Sequence, residues 1–159
     1  IVASHVAEAI QNGSGAFEHG FTYQAHPVAV AAGLAVLDYI EQHRLFDRVA
    51  PAGRELLAAL EPLRSYPNVG DIRGLGLLLG IEFVQDRATR EPFLRSAGFA
   101  ERVRQAAMEE GVTTYPIQGC ADGERGDHIL LAPPFTISAD EIRFLIRALE
   151  AALARAAAL

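Results

Sequence analysis

Residues 69–84 read VGDIRGLGLLLGIEFV, two short apolar runs that are interrupted by glycines. Apolar runs broken by glycine favour strands joined by a tight turn, so the sequence predicts two strands connected through Arg73-Gly74. The second run, residues 77–84, is almost continuously apolar, which is typical of a strand in the middle of a sheet. The centre of the fold is therefore expected to be a small sheet.

Helical patterns lie on both sides of this segment. The sequence predicts three helices in this part of the chain, over about residues 45–64, over 97–110 and from Ser138 onward. Pro51 is expected to bend or interrupt the first of them, because proline removes a helical hydrogen bond. Gly111 favours the end of the second, and Glu141, three residues after Ser138, predicts a capping box at the start of the third.

Two further short strands are predicted at residues 112–115 and 128–132, on either side of a polar, glycine-rich loop at 118–127. The order is then helix, two strands, helix, two strands, helix. This order predicts an α/β fold of the α+β kind, in which a small sheet is covered by helices.

The first 43 residues do not fit that layer. The sequence predicts a short helix at 3–11, a glycine- and aromatic-rich loop at 13–23, and a helix that begins at Pro27, where the missing N–H is harmless. We therefore expect two structural units, residues 1–43 and residues 44–159.

Composition excludes several classes of function. The net charge of −6 argues against a nucleic-acid-binding surface. The single cysteine, Cys120, cannot form an internal disulfide, so a reducing, cytoplasmic setting is expected, and no apolar run is long enough to span a bilayer. All fourteen basic residues are arginine, and the chain contains no lysine.

Three motifs together resemble the class III aminotransferases, which are pyridoxal-phosphate enzymes of fold type I. The motifs, in the order and spacing of that family, are HGFTY at 19–23 followed by His26-Pro27, RGLGL at 73–77 followed by GIE at 80–82, and Gly126-Asp127 followed by APP at 132–134 and an amphipathic helix. The resemblance covers essentially the whole chain. It implies that residues 1–43 are the end of the large cofactor-binding domain and that residues 44–159 are the small carboxy-terminal domain.

The resemblance also implies which residues bind the cofactor. It places Thr22 at the phosphate of pyridoxal phosphate bound by the neighbouring subunit of a homodimer, where a hydroxyl and a backbone N–H on a tight loop suit a phosphate oxygen. Gly20 would allow close approach of the backbone, and Phe21 would line the pocket. The alternative is that Thr22 only stabilises a turn before the helix.

For the substrate, the family resemblance singles out positions in the second unit. Arg73 is a candidate for binding a carboxylate, with a structural ion pair as the alternative. Arg125 in the loop, expected to be flexible, could swing towards a substrate carboxylate or could be a solvated arginine, and Tyr115 could line the same pocket. Leu130 stands where the ornithine branch has an arginine for the α-carboxylate, so a donor held in that way is not expected.

The remaining reactive side chains are given structural roles. His19 and His26 lack the spacing of a zinc site and are expected to shape the loop by packing or hydrogen bonding, so no metal site is predicted. Cys120 has no helix amino terminus aimed at it and is not expected to be a catalytic thiolate.

No residue of this chain is predicted to be catalytic, because the Schiff-base lysine that the chemistry needs is absent. The chain is expected to be inactive alone and to belong to an aminotransferase that moves an amino group from an amine or amino-acid donor to a keto acid. Two alternatives stay open at this point: another reaction on the same cofactor, such as that of an aminomutase, decarboxylase or racemase, or a non-catalytic binding or dimerisation domain.

Overall fold

A computed structural model describes residues 2–158 and divides the chain into two compact units, residues 1–40 and residues 41–159. The first unit holds helix α1 (Ser4–Asn12) and most of helix α2 (Pro27–Gln42). Both helices and the loop between them confirm the elements predicted from the sequence. None of the residues described in this unit is buried.

Helix α2 is unusual in exposing apolar side chains all round its circumference. Its exposed apolar residues include Val28, Val30, Leu34, Val36 and Leu37. At about 100° per residue these side chains point in several directions rather than along one stripe. A helix of this kind normally lies inside a protein, with neighbours on every side.

The second unit is an antiparallel sheet with helices on one face. Its elements are α3 (Leu45–Leu60), β1 (Val69–Leu75), β2 (Leu78–Asp86), β3 (Glu91–Pro92), α4 (Phe99–Glu109), β4 (Tyr115–Gln118), β5 (Asp127–Leu131) and α5 (Ala139–Ala157), with 3₁₀ turns at Glu61–Ser65 and Arg95–Ala97. The strand order is β1-β2-β5-β4, and the short β3 pairs with β2. The α/β layer predicted from the sequence and the central position of β2 are therefore confirmed.

Alternation along the strands sends every second side chain into the core. Leu79, Ile81 and Phe83 of β2 are buried beside Ile129 and Leu131 of β5. These side chains pack against the apolar faces of the three helices. The core also contains a group of aromatic rings, in which the Phe99 centroid lies 5.1 Å from that of Phe83 and 4.5 Å from that of Phe93.

The turn between the first two strands lies further along the chain than predicted. Arg73 and Gly74 are inside β1, and the two-residue connection is Gly76-Leu77. Gly76 has a φ of 58°, which a glycine adopts without strain at the first position of a hairpin turn. Gly53 of α3 packs directly on this turn, because a Cβ added to Gly53 would lie 2.2 Å from the Gly76 carbonyl oxygen.

Three other details differ from the sequence prediction. Helix α3 runs through Pro51 without interruption, although proline has no N–H to donate to the Asp47 carbonyl. Strand β4 begins at Tyr115 rather than at residue 112, because pairing with β5 fixes its register. The two-residue strand β3 was not predicted from the sequence.

The last helix begins as predicted. The Ser138 hydroxyl accepts a hydrogen bond from the Glu141 backbone N–H, and the Glu141 carboxylate accepts one from the Ser138 N–H at 2.7 Å. This reciprocal pair lowers the pKa of Glu141, chiefly through the Ser138 backbone N–H. The capping box therefore fixes where α5 starts after the Ala132-Pro133-Pro134 segment.

We expect the same substitution to have opposite effects at two helical glycines. Gly53→Ala should lower the free energy of unfolding by about 1–3 kcal/mol, because the methyl group would overlap the turn at Gly76. Gly33→Ala in α2 meets nothing within 4 Å and should stabilise its helix by about 0.5–1 kcal/mol. Urea unfolding measures the first effect, and amide hydrogen exchange in α2 measures the second; a neutral Gly53→Ala would contradict the close packing.

Candidate functional site

The loop before α2 brings the three predicted cofactor residues together at the surface. Gly20, Phe21 and Thr22 are all exposed, and a turn is closed by a hydrogen bond of 2.9 Å from the Gln24 N–H to the Phe21 carbonyl. Gln24 also accepts from the Phe21 N–H at 3.3 Å through its side-chain oxygen. Within residues 2–158, neither the hydroxyl nor the backbone N–H of Thr22 has a hydrogen-bond partner. Both donors are therefore available to an anion.

The two histidines of this loop have local structural contacts. The His19 ring lies edge-on between the rings of Phe17 and Phe21, with centroid distances of 5.7 and 4.7 Å. His26 accepts a hydrogen bond from the Ala29 N–H through Nδ1 at 3.4 Å, and so satisfies a free donor of the first turn of α2. These contacts fit the packing and hydrogen-bonding roles expected from the sequence.

The sheet of the second unit has one face that none of the helices described in this unit covers, which we call the open face. Its cross-strand register sets Arg73 opposite Gly80, Gly80 opposite Leu130, and Leu130 opposite Tyr115. Residues directly opposite one another in an antiparallel sheet project from the same face. Two of the predicted substrate residues, Arg73 and Tyr115, therefore share the open face with Leu130.

A shallow cavity of about 210 Å³ lies over this row. Its lining includes Arg73, Gly80, Glu82, His128 and Leu130. Gly80 leaves its floor open, because an added Cβ would meet only Leu130 at an ordinary contact distance of 3.7 Å. The open face can accommodate a small group here, with an apolar side at Leu130.

Arg73 is already paired with two carboxylates. Its Nη1 donates to Asp71 at 3.0 Å and also to Glu82 on the neighbouring strand. Asp71 also accepts a hydrogen bond of 3.0 Å, from Arg64 Nη1 to its Oδ1. The hydrogen bond from Arg64 is the main cause that lowers the pKa of Asp71, with a further contribution from Arg73. The guanidinium of Arg73 is thus part of a cross-strand ion-pair network.

The third predicted substrate residue, Arg125, lies in the loop between β4 and β5 rather than on the sheet. Its Nε donates to Asp122 at 2.7 Å, and its Nη1 lies 3.4 Å from Glu91. The loop that was expected to be flexible is closed by backbone hydrogen bonds, including one of 2.9 Å from the Ala121 N–H to the Arg125 carbonyl. The guanidinium of Arg125 is therefore paired with carboxylates and is not surrounded by solvent alone.

Cys120 occupies the same loop. Its sulfur lies 3.3 Å from Nδ1 of His128, which projects from the open face. Although the residue as a whole is exposed, desolvation of the thiol raises the pKa of Cys120. A raised pKa leaves little thiolate at neutral pH, so this cysteine is not activated as a nucleophile.

Two aspartates that fix this region had no role predicted from the sequence. Asp122 accepts from three donors of the Glu124-Arg125 segment, and its position three residues before an arginine, next to Gly123, is a turn signal that could have revealed it. Asp127 is fully buried and accepts a hydrogen bond of 2.8 Å from the Ala100 N–H at the start of α4. Nothing local in the sequence marks Asp127 as buried.

Two absences hold for the part of the chain that the structure describes. No group of three or more histidine, cysteine, aspartate or glutamate side chains could hold a metal ion. No helix there has both the length and the apolar composition needed to cross a membrane.

Comparison with known proteins identifies the family. Residues 1–153 match the family model for class III aminotransferases. An uncharacterized aminotransferase of Schizosaccharomyces pombe is 41% identical over 150 residues, which are 94% of this chain and 33% of that protein.

Two solved structures are similar in both sequence and fold. An amine transaminase from an uncultivated Pseudomonas species, in its pyridoxal-phosphate-bound form, is 41% identical with a TM-score of 0.78, over 96% of this chain and 34% of the other. An aminotransferase of Bacillus anthracis is 36% identical with a TM-score of 0.79, over 97% of this chain and 34% of the other. The chain spans about a third of the length of the relatives it matches.

The ion-pair network on the open face makes a pH-dependent contribution to stability. Because the folded-state pKa of Asp71 is lowered, its contribution is present above the ordinary aspartate pKa and is lost as the pH falls through the folded value. We expect Arg64→Met to raise the pKa of Asp71 towards its usual range and to destabilise the chain more at pH 7 than at pH 2. Carbon-13 NMR titration measures the pKa and urea unfolding measures the stability.

Arg104→Met is the matched control, because Arg104 pairs with Glu101 on α4 instead. The pKa of Asp71 should not change in that variant. An unchanged Asp71 pKa in Arg64→Met would contradict the network.

Proposed function

This chain belongs to the class III aminotransferase family, and we propose that it forms the carboxy-terminal part of a pyridoxal-phosphate-dependent aminotransferase. The whole enzyme would transfer an amino group from an amine or amino-acid donor to a keto acid. The observation that carries this proposal is the family match, which runs through both units of the chain and corresponds to about a third of the length of the relatives.

The division into units supports a more specific assignment. We propose that residues 1–43 are the end of the large cofactor-binding domain and that residues 44–159 are the small domain. Helix α2 favours this assignment, because a helix that is apolar all round and has no buried residue in its own unit needs further polypeptide to cover it.

Thr22, Gly20 and Phe21 are proposed to hold the cofactor. The hydroxyl and N–H of Thr22 would donate to its phosphate, the absence of a side chain at Gly20 would let the backbone approach, and Phe21 would line the pocket. When bound, pyridoxal phosphate supplies an electron sink that stabilises negative charge on the substrate carbon. Since the chain has no lysine, it does not supply the lysine amine that this chemistry uses.

The proposed assembly follows from the position of Thr22 in this family. We propose a homodimer in which Thr22 donates to the phosphate of the cofactor bound by the neighbouring subunit. A cytoplasmic location is proposed with it, supported by the single unpaired cysteine.

On the substrate side, Arg125 and Tyr115 are the stronger proposals. Arg125 would bind a substrate carboxylate, and Tyr115, exposed beside Leu130, would line the pocket. Arg73 is a third candidate, but its carboxylate partners Asp71 and Glu82 lie on the paired strands β1 and β2, which supports the ion-pair alternative. The apolar side chain of Leu130 supports a donor with an uncharged group on that side, such as an amine or an ω-amino acid.

Half-reaction assays test the reaction itself. A polypeptide of the full family length that contains this chain should convert one equivalent of amine donor when it carries pyridoxal phosphate, and should regain the starting cofactor form with a keto acid. Release of carbon dioxide, or product with the amino group moved within the same molecule, would overturn transamination.

For the 159-residue chain alone we expect no attachment of the cofactor at an internal position. The chain has no lysine amine, so borohydride treatment after adding pyridoxal phosphate should modify at most the terminal amine. Peptide mass spectrometry would detect a reduced adduct, and one at any internal residue would contradict this expectation.

Substitution at Thr22 tests the cofactor site in the full-length enzyme. Thr22→Val keeps the shape and removes the hydroxyl donor, so we expect the dissociation constant for pyridoxal phosphate to rise by about ten- to a hundredfold, as loss of a hydrogen bond to a charged group predicts. Thr22→Ser keeps the donor and is the matched control. Equal cofactor affinity in all three proteins, measured by fluorescence titration, would refute a phosphate contact.

A further inference from the structure

Asp127 of β5 is a buried acidic residue that no part of the proposed reaction uses. Its side chain is fully buried, and its Oδ2 accepts a hydrogen bond of 2.8 Å from the Ala100 N–H in the first turn of α4. Within residues 2–158, its Oδ1 has no hydrogen-bond partner. A buried carboxyl group with a single hydrogen bond costs stability, whereas a well-packed apolar side chain would not. The contact with Ala100 therefore calls for an explanation other than stability.

Helix α4 has no cap of its own, and Asp127 supplies one from another element. The residue before the helix is Gly98, which has a φ of 60° and no side chain that could accept from the first helical N–H groups. Glu101 in the first turn is paired with Arg104 instead. The Asp127 carboxyl group accepts from the second residue of the helix, as an N-cap side chain does, although it lies 27 residues away. The start of α4 is therefore attached to β5.

The loop that carries Arg125 is attached to the segment just before α4. The Gly126 N–H donates to the Phe93 carbonyl at 2.9 Å, and the Arg95 N–H donates to the Glu124 carbonyl at 2.8 Å. These two backbone hydrogen bonds lie on either side of Arg125 in the loop. The position of the Arg125 backbone therefore depends on the position of the segment before α4.

Asp127 closes a ring that includes both sets of contacts. From Asp127 the chain passes to Gly126, crosses the hydrogen bond to Phe93, follows the backbone to Ala100 and returns through the Ala100 N–H to the Asp127 carboxyl group. Because the ring is closed, the end of the loop and the start of the helix cannot move independently. Loss of the contact between Asp127 and Ala100 would let the segment on which the loop rests open locally.

We propose that Asp127 is a positioning residue for Arg125: by capping α4, it holds the segment to which the loop is attached, and so keeps the guanidinium where it can meet a substrate carboxylate. The inference rests on the proposed function, in which Arg125 binds that group. Asp127 acts through Arg125 and not on the substrate, because its own side chain is fully buried. Loss of its carboxyl group should therefore weaken the binding of substrates that have a carboxylate and leave the binding of other substrates unchanged.

Asp127→Val in the full-length holoenzyme removes the acceptor and introduces a side chain that suits a strand. We expect amide hydrogen exchange at Arg95 and Gly126 to accelerate about two- to thirtyfold, the factor that loss of one helix cap predicts. KM for pyruvate should rise about two- to tenfold, because the guanidinium is then correctly placed for only part of the time. KM for 1-phenylethylamine, which has no carboxylate, should not change. Unchanged exchange at both amides would overturn the inference.

Two other variants at the same position separate positioning from a general loss of structure. Asp127→Asn keeps an oxygen that can accept from the Ala100 N–H, so both the exchange at Arg95 and KM for pyruvate should stay close to those of the parent enzyme. Asp127→Ser has a shorter side chain that does not reach the helix, and it should repeat the effects of Asp127→Val if the valine variant does not fold. An asparagine variant as impaired as the valine variant would contradict the role of the hydrogen bond.

Ser138→Ala is the matched control, because it removes another N-cap acceptor, that of α5. It should lower the free energy of unfolding by a similar amount and change neither the exchange at Arg95 nor KM for pyruvate. An equal rise of KM in this variant would mean that the loss of any helix cap weakens substrate binding, and the inference would be wrong.

Arg125→Met separates the inference from the function on which it rests. If this variant raises KM for pyruvate and Asp127→Val does not, Arg125 keeps its role and the positioning by Asp127 is wrong. If Arg125→Met leaves KM for pyruvate unchanged, both the role of Arg125 and its positioning are wrong, while transamination is still measured in the same assay. A rise caused by Asp127→Val that disappears in the Arg125→Met background supports the proposal, and a rise that persists there overturns it.

Discussion

The register of β2 between β1 and β5 is the constraint on which the second unit depends. Gly80 of β2 lies between Arg73 and Leu130, and the next residue, Ile81, lies between Ile72 and Ile129. A shift of one residue would turn the apolar set towards the open face and the charged set into the core. The same register therefore fixes both the hydrophobic core and the identity of the side chains that project from the open face.

A single close contact between helix and turn supports this register. Gly53 of α3 and Gly76 of the hairpin approach so closely that no side chain fits at Gly53. The contact with α3 thus fixes the position of the turn at Gly76-Leu77. The turn in turn fixes the register in which Leu75 pairs with Leu78. The exposed hairpin end, with Leu75 90% accessible, is consistent with a surface that meets other polypeptide in a longer protein.

The sequence predicted those features that depend on local patterns. The capping box at Ser138, the helix start at Pro27 and the central strand were all recognisable, because each depends on a few neighbouring residues. The position of the hairpin turn was not recognisable from the sequence, since residues 70–80 contain four glycines. Only the contact with α3 selects Gly76. The start of β4 was misplaced for the same reason, because its partner β5 sets it.

The partners of the arginines were the least predictable part of the candidate site. Carboxylates outnumber arginines in this chain, so the sequence alone cannot say which arginine remains free to bind a substrate. The fold gives both Arg73 and Arg125 two carboxylate partners, but the two cases differ physically. The partners of Arg73 are strand residues fixed by sheet register, whereas Asp122 lies in the loop between β4 and β5.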